Sequence, residues 1–290
     1  MILWYLPMDK QKLRYHLMKI AKEQNINYNT LLLFFFMEEF IKRISLSDYQ
    51  NYFVFKGGFL LSSILGLSTR TTTDIDFNIQ KIPLNHENIR SIVENIIAHV
   101  NDQDVTYEIM DISDIKKIED YEGFHVTFIA KMFNIKERFS IDIATGDPIT
   151  PDKISYSYVT LIDHMVIDIP AYNLETILAE KLHAIYNNGI MNSRCKDFYD
   201  IHIILTTRKK DINHHHLFDA VQKTFHHRKT NFDKSDMEKT LSEIRKNELM
   251  NQRWRNYSKK HTYAKNLSFK EMLDDIDQLL ALMLEGDYVM

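Results

Sequence analysis

Two adjacent glycines, Gly57-Gly58, constrain this chain more than any other feature, because its 290 residues contain only 7 glycines. The stretch from 53 to 80 reads FVFKGGFLLSSILGLSTRTTTDIDFNIQ. The apolar-aromatic run before the pair predicts a strand. The run from Gly58 to near Gly66 predicts a helix. The glycines therefore mark a strand-to-helix turn, where backbone N–H groups can approach an anion at the helix N-terminus. Alone, such a pair is only a turn. What sharpens it is the next strand, DIDFNIQ, which sets two acids in an apolar pattern.

Alternate side chains of a strand share a face. Asp74, Asp76 and Asn78 thus project from one side, and Ile75, Phe77 and Ile79 from the other. Two ionised carboxylates so close repel each other, and without a cation one tends to keep its proton. A pair of hard oxygen ligands is what Mg²⁺ needs when phosphates complete its shell. RFSIDIAT at 138–145 repeats the pattern, with Phe139, Ile141 and Ile143 facing one way and Ser140 and Asp142 the other. If the two strands are neighbours, Asp142 becomes a third carboxylate, and three acids can hold two divalent ions, Mg²⁺ or Mn²⁺. The bland alternative is a strand edge whose charges discourage aggregation.

Helical periodicity covers 8–23, 29–46 and 86–101, and further strands are expected at 105–110 and 124–133. After GDPITP the texture changes. Short strands over 154–169 lead to a helix at 173–188 and then to more helices. The fold class expected is α+β: a mixed-sheet domain with flanking helices over 1–165, then a mostly helical domain over 166–290 that completes the active site. The single cysteine, Cys195, excludes a disulfide framework and a cysteine zinc site, and it suits a reducing cytosol. LLLFFFM at 31–37 is too short to cross a bilayer, and the apolar start is soon interrupted by charge, so a cytoplasmic protein without a membrane span is expected. The net charge of −4 hides an asymmetry: residues 223–270 carry 13 Lys/Arg against 5 Asp/Glu. That segment fits either a polyanion footprint or a solvated helical face.

Strand, Gly-Gly, helix, a strand with D-x-D and a later third Asp is an order similar to that of the nucleotidyltransferase superfamily, with its DNA-polymerase-β-like fold. FKGGFLLSSILGLSTRTTTDIDF resembles the AbiEii/AbiGii toxin family, whose pattern runs K-G-G, a helix, then R-x-[ST]-x-D-[IL]-D-[FL]. Lys56, Gly57, Gly58, Arg70, Thr72, Asp74, Asp76 and Phe77 match it position by position. The likeness continues through FSIDIATGD, YNLETILAEKLHAIYN, RCKDFYDI, WRNYSKK and LSFKEML. One departure stands out: where the family carries a small Thr or Ser after the glycines, this chain has Phe59. A phosphate contact must then come from backbone, or from Ser62 or Ser63.

The resemblance implies a nucleotidyltransferase that uses an NTP and acts as a type IV toxin or phage-defence component, with an antitoxin encoded nearby. It implies a tRNA 3′ end as acceptor, with a protein hydroxyl as competitor. Lys56, Gly57, Gly58, Ser62, Arg70 and Arg194 are the expected nucleotide-binding residues. Lys181 matches the family's A-E-K lysine, which points at the phosphates; a helical lysine alone is usually solvated. Asp197 in R-x-K-D-x-x-D would orient Lys181 or the acceptor hydroxyl, although with Asp200 at i, i+3 it also fits a helix-start charge. Arg194 fits either a phosphate contact or a pair with a nearby acid. Glu175 and Glu180 fall behind the site. His214–His216, His226 and His227 are read as exposed helix and turn residues. Trp254, Tyr257 and Tyr263, interleaved with Arg253, Arg255, Lys259 and Lys260, suit either an RNA-facing surface or ordinary core aromatics. A nucleotide- or RNA-binding module that keeps the fold without transfer is the alternative.

Overall fold

The computed structural model describes residues 8–99, 105–115 and 123–285. Parts of the apolar start and the end of the helix expected at 86–101 lie outside the described residues. The chain opens with α1 (Lys10–Gln24) and α2 (Tyr28–Leu46), each N-capped by a side chain, Asp9 accepting from Lys12 N at 2.8 Å and Asn27 from Asn29 N at 2.8 Å. The apolar residues of α2 run all round the helix, which predicts burial on every side. Leu31, Phe34, Phe35, Phe36, Met37 and Phe40 are all buried.

After α2 come β1 (Phe53–Lys56), α3 (Gly57–Leu65), β2 (Asp74–Ile79), α4 (His86–Ala98), β3 (Thr106–Asp114), β4 (Gly123–Met132), β5 (Ile135–Thr145), β6 (Ile154–Val159) and β7 (Val166–Ala171). The seven strands form one sheet in the order β3-β4-β5-β2-β1-β7-β6. It is mixed: β2 pairs antiparallel with β1 and parallel with β5, while β4 pairs antiparallel with β5. One face is aromatic and packs on α2. Phe40 of α2 lies 5.2 Å from Phe128 and 5.9 Å from Phe139, ring centre to ring centre, and those two strand residues stand opposite each other. Phe53 and Phe55 of β1 both approach Phe77 of β2. Burying each such ring stabilises by roughly 1.5–3 kcal/mol, which fixes the register of the central strands. The opposite face carries the acids.

A polar knot ties α2 to the β6–β7 turn. Lys42 Nζ lies 2.6 Å from Glu39 and 2.9 Å from Asp163, and Glu38 accepts from Tyr158 Oη at 2.9 Å and Leu161 N at 2.8 Å. Burial pushes the Glu38 carboxyl up to about 8.

The chain divides into two compact units, residues 1–146 with 154–171, and residues 147–153 with 172–290. Strand β7 stays with the first, beyond the 165/166 division read from the sequence. The second unit holds α5 (Leu174–Asn188), α6 (Cys195–Arg208), α7 (His214–His227), α8 (Lys234–Lys246), α9 (Glu248–Lys260) and α10 (Phe269–Glu285). Asn173 caps α5, accepting from Thr176 N at 2.8 Å, and its Nδ2 donates to Thr150 O and Asp152 O, holding segment 147–153 to the helix start. Among the described residues no helix is long and apolar enough to cross a membrane.

Candidate active site

Strand pairing lines up one row of side chains across four strands of the first unit. Lys56 of β1 is opposite Asp76 of β2, Asp76 is opposite Asp142 of β5, and Asp142 is opposite His125 of β4. In the adjacent row Asp74 is opposite Ser140. The pairing of β2 with β5 thus meets the condition set by the sequence and brings the third acid beside the other two. Their neighbours Ile75, Phe77, Ile141 and Ile143 are fully buried on the other face, while all three aspartates keep partial access to solvent.

Like charges directly opposite one another destabilise a sheet, and here each carboxylate has one oxygen held by a donor. Thr72 Oγ1 donates to Asp74 Oδ1. Gly58 N donates to Asp76 Oδ2 at 3.3 Å. His125 Nδ1 lies 2.6 Å from Asp142 Oδ1. The glycine pair makes the second of these contacts possible. Gly57 has φ +72°, a left-handed conformation that L side chains rarely adopt, and a Cβ built there would overlap the Asp76 carboxylate. At Gly58 a Cβ would come within 2.9 Å of Thr72 Oγ1. The two glycines let the start of α3 sit against the Asp76 carboxylate and Thr72, with the Gly58 N–H turned to that carboxylate.

The donor set fits a divalent cation of the Mg²⁺ or Mn²⁺ kind: hard oxygens, few in number, beside backbone N–H groups suited to phosphate. Among the described residues no three His, Cys, Asp or Glu side chains enclose such an ion by themselves. That suits an ion which keeps waters and takes part of its shell from a substrate phosphate.

Phe59 is explained by packing. Its ring is fully buried 4.7 Å from Phe34, 5.7 Å from Phe55 and 6.0 Å from Tyr158, facing α2 rather than the acids. Ser62 departs from the expected phosphate contact: it is fully buried, and its hydroxyl donates to Gly58 O at 2.9 Å, one turn back in the same helix. Ser63 is likewise engaged, donating to Leu60 O at 2.7 Å and lying 3.0 Å from Tyr156 Oη. Arg70 is almost entirely buried and donates to Thr71 O, so it braces the loop before β2. Lys56 is half-buried at the end of the row.

The second unit builds a different arrangement. Lys181 of α5 lies on the same helix as the buried Ile177, Leu178, Leu182 and Ile185, and its side chain is only 12% exposed. Its Nζ is 2.6 Å from Asp200 Oδ2 and 3.4 Å from Asp197 Oδ1, both carboxylates being buried. The nearer partner is Asp200, which sequence reasoning left outside the candidate set. Arg194 Nε lies 3.0 Å from Asp197 Oδ2, an ion pair without hydrogen-bond alignment, so the acid-pairing alternative describes Arg194 here. Asp197 stands in the first turn of α6, where the helix dipole favours negative charge. Glu180 is 3.6 Å from Arg228 Nη2, and Glu175 accepts from Asn213 N at 2.7 Å, which ties α5 to the start of α7.

The RNA-facing reading of the aromatic-basic segment is corrected in part. Trp254 is buried, stacks on Phe269 at 5.7 Å and donates to Leu267 O at 2.9 Å. Tyr257 and Tyr263 join hydroxyls at 3.2 Å. Arg253 donates to Ile190 O and Asn192 O, Arg255 pairs with Glu248, and Arg245 pairs with Asp274 and Asp277. Much of the local positive charge is therefore matched within the fold. The histidine run forms the first turn of α7, with His215 exposed and His214 and His216 half-buried; His226 is exposed and His227 half-buried at its other end. The histidine that does meet an acid of the row is His125, which the sequence reading missed. Its signal was the alternation of FHVTF, which puts His125 and Thr127 on the polar face.

A family model described as "Nucleotidyl transferase AbiEii toxin, Type IV TA system" matches residues 39–281. The chain belongs to this family. A search of curated proteins finds no match. Among solved structures, a proposed nucleotidyltransferase from H. pylori is similar over 91% of this chain and 99% of its own, at 15% identity and a TM-score of 0.48. JHP933 from Helicobacter pylori is similar over 90% of this chain and 94% of its own, also at 15% identity and a TM-score of 0.48.

Proposed function

We propose that this protein transfers a nucleoside monophosphate from an NTP to a hydroxyl of RNA, foremost a tRNA 3′ end, with a protein hydroxyl as the competing acceptor. The observation that carries the reading is the cross-strand register of Asp76 with Asp142, beside a diglycine turn whose N–H already meets Asp76. Asp74, Asp76 and Asp142 would hold Mg²⁺ or Mn²⁺. When bound, such an ion neutralises phosphate charge and eases loss of the acceptor's proton. The N–H groups at the start of α3 bind the triphosphate. The acceptor oxygen attacks the α-phosphorus and its proton passes to solvent. A new P–O bond forms, the bond from the α-phosphorus to the bridging oxygen breaks, and pyrophosphate leaves. Within the second unit, Lys181 is proposed from the family pattern as a phosphate-facing ammonium. An ammonium has three donors, so it retains one when two face Asp197 and Asp200. In a type IV toxin–antitoxin system the cell would restrain this activity with a cognate antitoxin.

The test is incubation of the purified chain with Mg²⁺ or Mn²⁺ and each α-labelled NTP, adding total tRNA or a protein extract in separate arms. Label on tRNA, lost in Asp76→Asn, supports the reading. Label on protein alone moves the acceptor. NTP binding with no label in any arm leaves a binding module and rejects transfer.

A further inference from the structure

We propose that His125 is a positioning residue for Asp142, holding one carboxylate oxygen so that the other is presented to the divalent cation. This rests on the metal-dependent reading above and adds a residue of β4 to it. Three observations carry it.

The first is register. His125 and Asp142 are directly opposite in the antiparallel β4–β5 pair, where the two Cβ atoms stand about 4.5–5.5 Å apart. Their meeting is set by the sheet itself, and the row continues through Asp142 to Asp76. The second is the contact. Nδ1 lies 2.6 Å from Oδ1 between two side chains that are 41% and 35% exposed. An ionised carboxylate only accepts, so Nδ1 is the donor. Among the described residues Asp142 Oδ2 has no hydrogen-bond partner. The third is repetition. Thr72 holds one oxygen of Asp74, and Gly58 N–H holds one of Asp76. His125 does the same for the third acid, from a third element of the fold. An aspartate free to turn about its side-chain torsions must be ordered each time an ion binds, and a fixed donor removes that cost beforehand. Outer hydrogen-bond partners of ligating carboxylates typically change metal affinity by about 10–100-fold.

The experiment uses the full chain and Mn²⁺ alone, with bound ion read by electron paramagnetic resonance and the fold by circular dichroism and thermal melting. His125→Phe keeps bulk and loses the donor; His125→Asn returns an N–H near the position of Nδ1. The expected result is Mn²⁺ binding weakened by about 10-fold or more in His125→Phe, and restored to within about threefold of wild type in His125→Asn. In an Asp142→Asn background His125→Phe should then cost nothing further, since its object is gone. That comparison still decides the matter if His125→Phe alone melts early. The inference is overturned if His125→Phe binds Mn²⁺ as wild type does, if the Asn variant is no better than Phe, or if the Phe penalty persists without Asp142. In each of those cases wild-type binding that disappears in Asp76→Asn leaves the metal reading standing. A wild type that binds no Mn²⁺ overturns both.

Discussion

The aspartates of the sheet and the aspartates of α6 handle negative charge in opposite ways. Asp74, Asp76 and Asp142 crowd together half-exposed, and each has one oxygen held by a hydroxyl, an N–H or an imidazole. Lys56 stands opposite Asp76 at the end of their row. Asp197 and Asp200 are buried and share the ammonium of Lys181, with Arg194 against the outer oxygen of Asp197. The first group gathers three carboxylates on one partly exposed face, where a bound cation would relieve their mutual repulsion. The second is balanced by its own chain, and so it belongs to the stability of the fold as well as to any chemistry. The difference teaches that matching a motif does not by itself say which acids await a ligand; local charge balance does.

The sharpest way to break this comparison is to neutralise one acid of the first group. Asp76→Asn should lower nucleotidyl transfer by on the order of 10³-fold, because a lost metal ligand removes several kcal/mol of charge stabilisation. Its stability without metal should stay level or rise by at most about 1 kcal/mol, since a like-charged pair is relieved. Transfer assays with urea unfolding of the same preparation check both halves. A well-folded variant that still transfers at the wild-type rate would remove Asp76 from the chemistry.

Lys181→Met asks the converse question of the second group. It takes the shared ammonium away from two buried carboxylates, so unfolding should become easier by about 3–5 kcal/mol. Lys181→Met with Asp200→Asn should recover a large part of that loss, because the acid nearest the missing ammonium no longer carries charge. If the single variant is as stable as wild type, the balanced description of this group fails.

How much of this was legible beforehand divides along the same line as the physics. Alternation in DIDFNIQ and RFSIDIAT announces which side chains share a face, because the strand period is two. It does not announce which strands are neighbours, since pairing β2 with β5 joins segments more than sixty residues apart with no local trace. His125 was hidden for that reason: the alternation of FHVTF puts its histidine on the polar face, but only the pairing of β4 with β5 shows which acid it meets. Phe59 was visible as a departure, but only the ring of Phe34 across from it shows why a large apolar residue sits there. Trp254 stayed open between surface and core because basic residues flank it in the sequence. The i, i+4 spacing with Met250, also buried, was the better guide to a core stripe.

Gly57→Ala should produce a smaller effect that separates strain from charge. At φ +72° an added Cβ costs about 1–2 kcal/mol, and it must also push the Asp76 carboxylate aside. Stability should fall by that amount, and Mn²⁺ affinity should fall with it, although no charge has been altered. Thermal melts with and without Mn²⁺ read both effects. Unchanged metal binding in the destabilised variant would show that the contact between the turn and Asp76 is dispensable.

Glu38 supplies a third treatment of a carboxylate and the mildest prediction. It is as buried as Asp200, yet Lys42 beside it is taken by Glu39 and Asp163. Burial raises its pKa from 4.5 to about 8 against the pull of Lys42 and of donation from Leu161 N and Tyr158 Oη. It therefore keeps a proton where Asp200 keeps a cation. With the folded value above the unfolded one, the native state binds more protons between them, so stability falls as pH rises through that window. The contribution is complete below about 4.5 and gone above about 8. His183, lowered from 6.5 to about 4 by burial and Arg228, works the other way, its share being present above 6.5 and lost as pH falls toward 4. The two oppose each other below 6.5, which leaves the stretch from 6.5 to 8 as the window where Glu38 is best isolated. Urea unfolding across that stretch should show wild type losing stability relative to Glu38→Gln, whose amide cannot titrate. Parallel curves for the two proteins would mean that Glu38 is already ionised in the fold, and that Lys42 balances it as Lys181 balances Asp200.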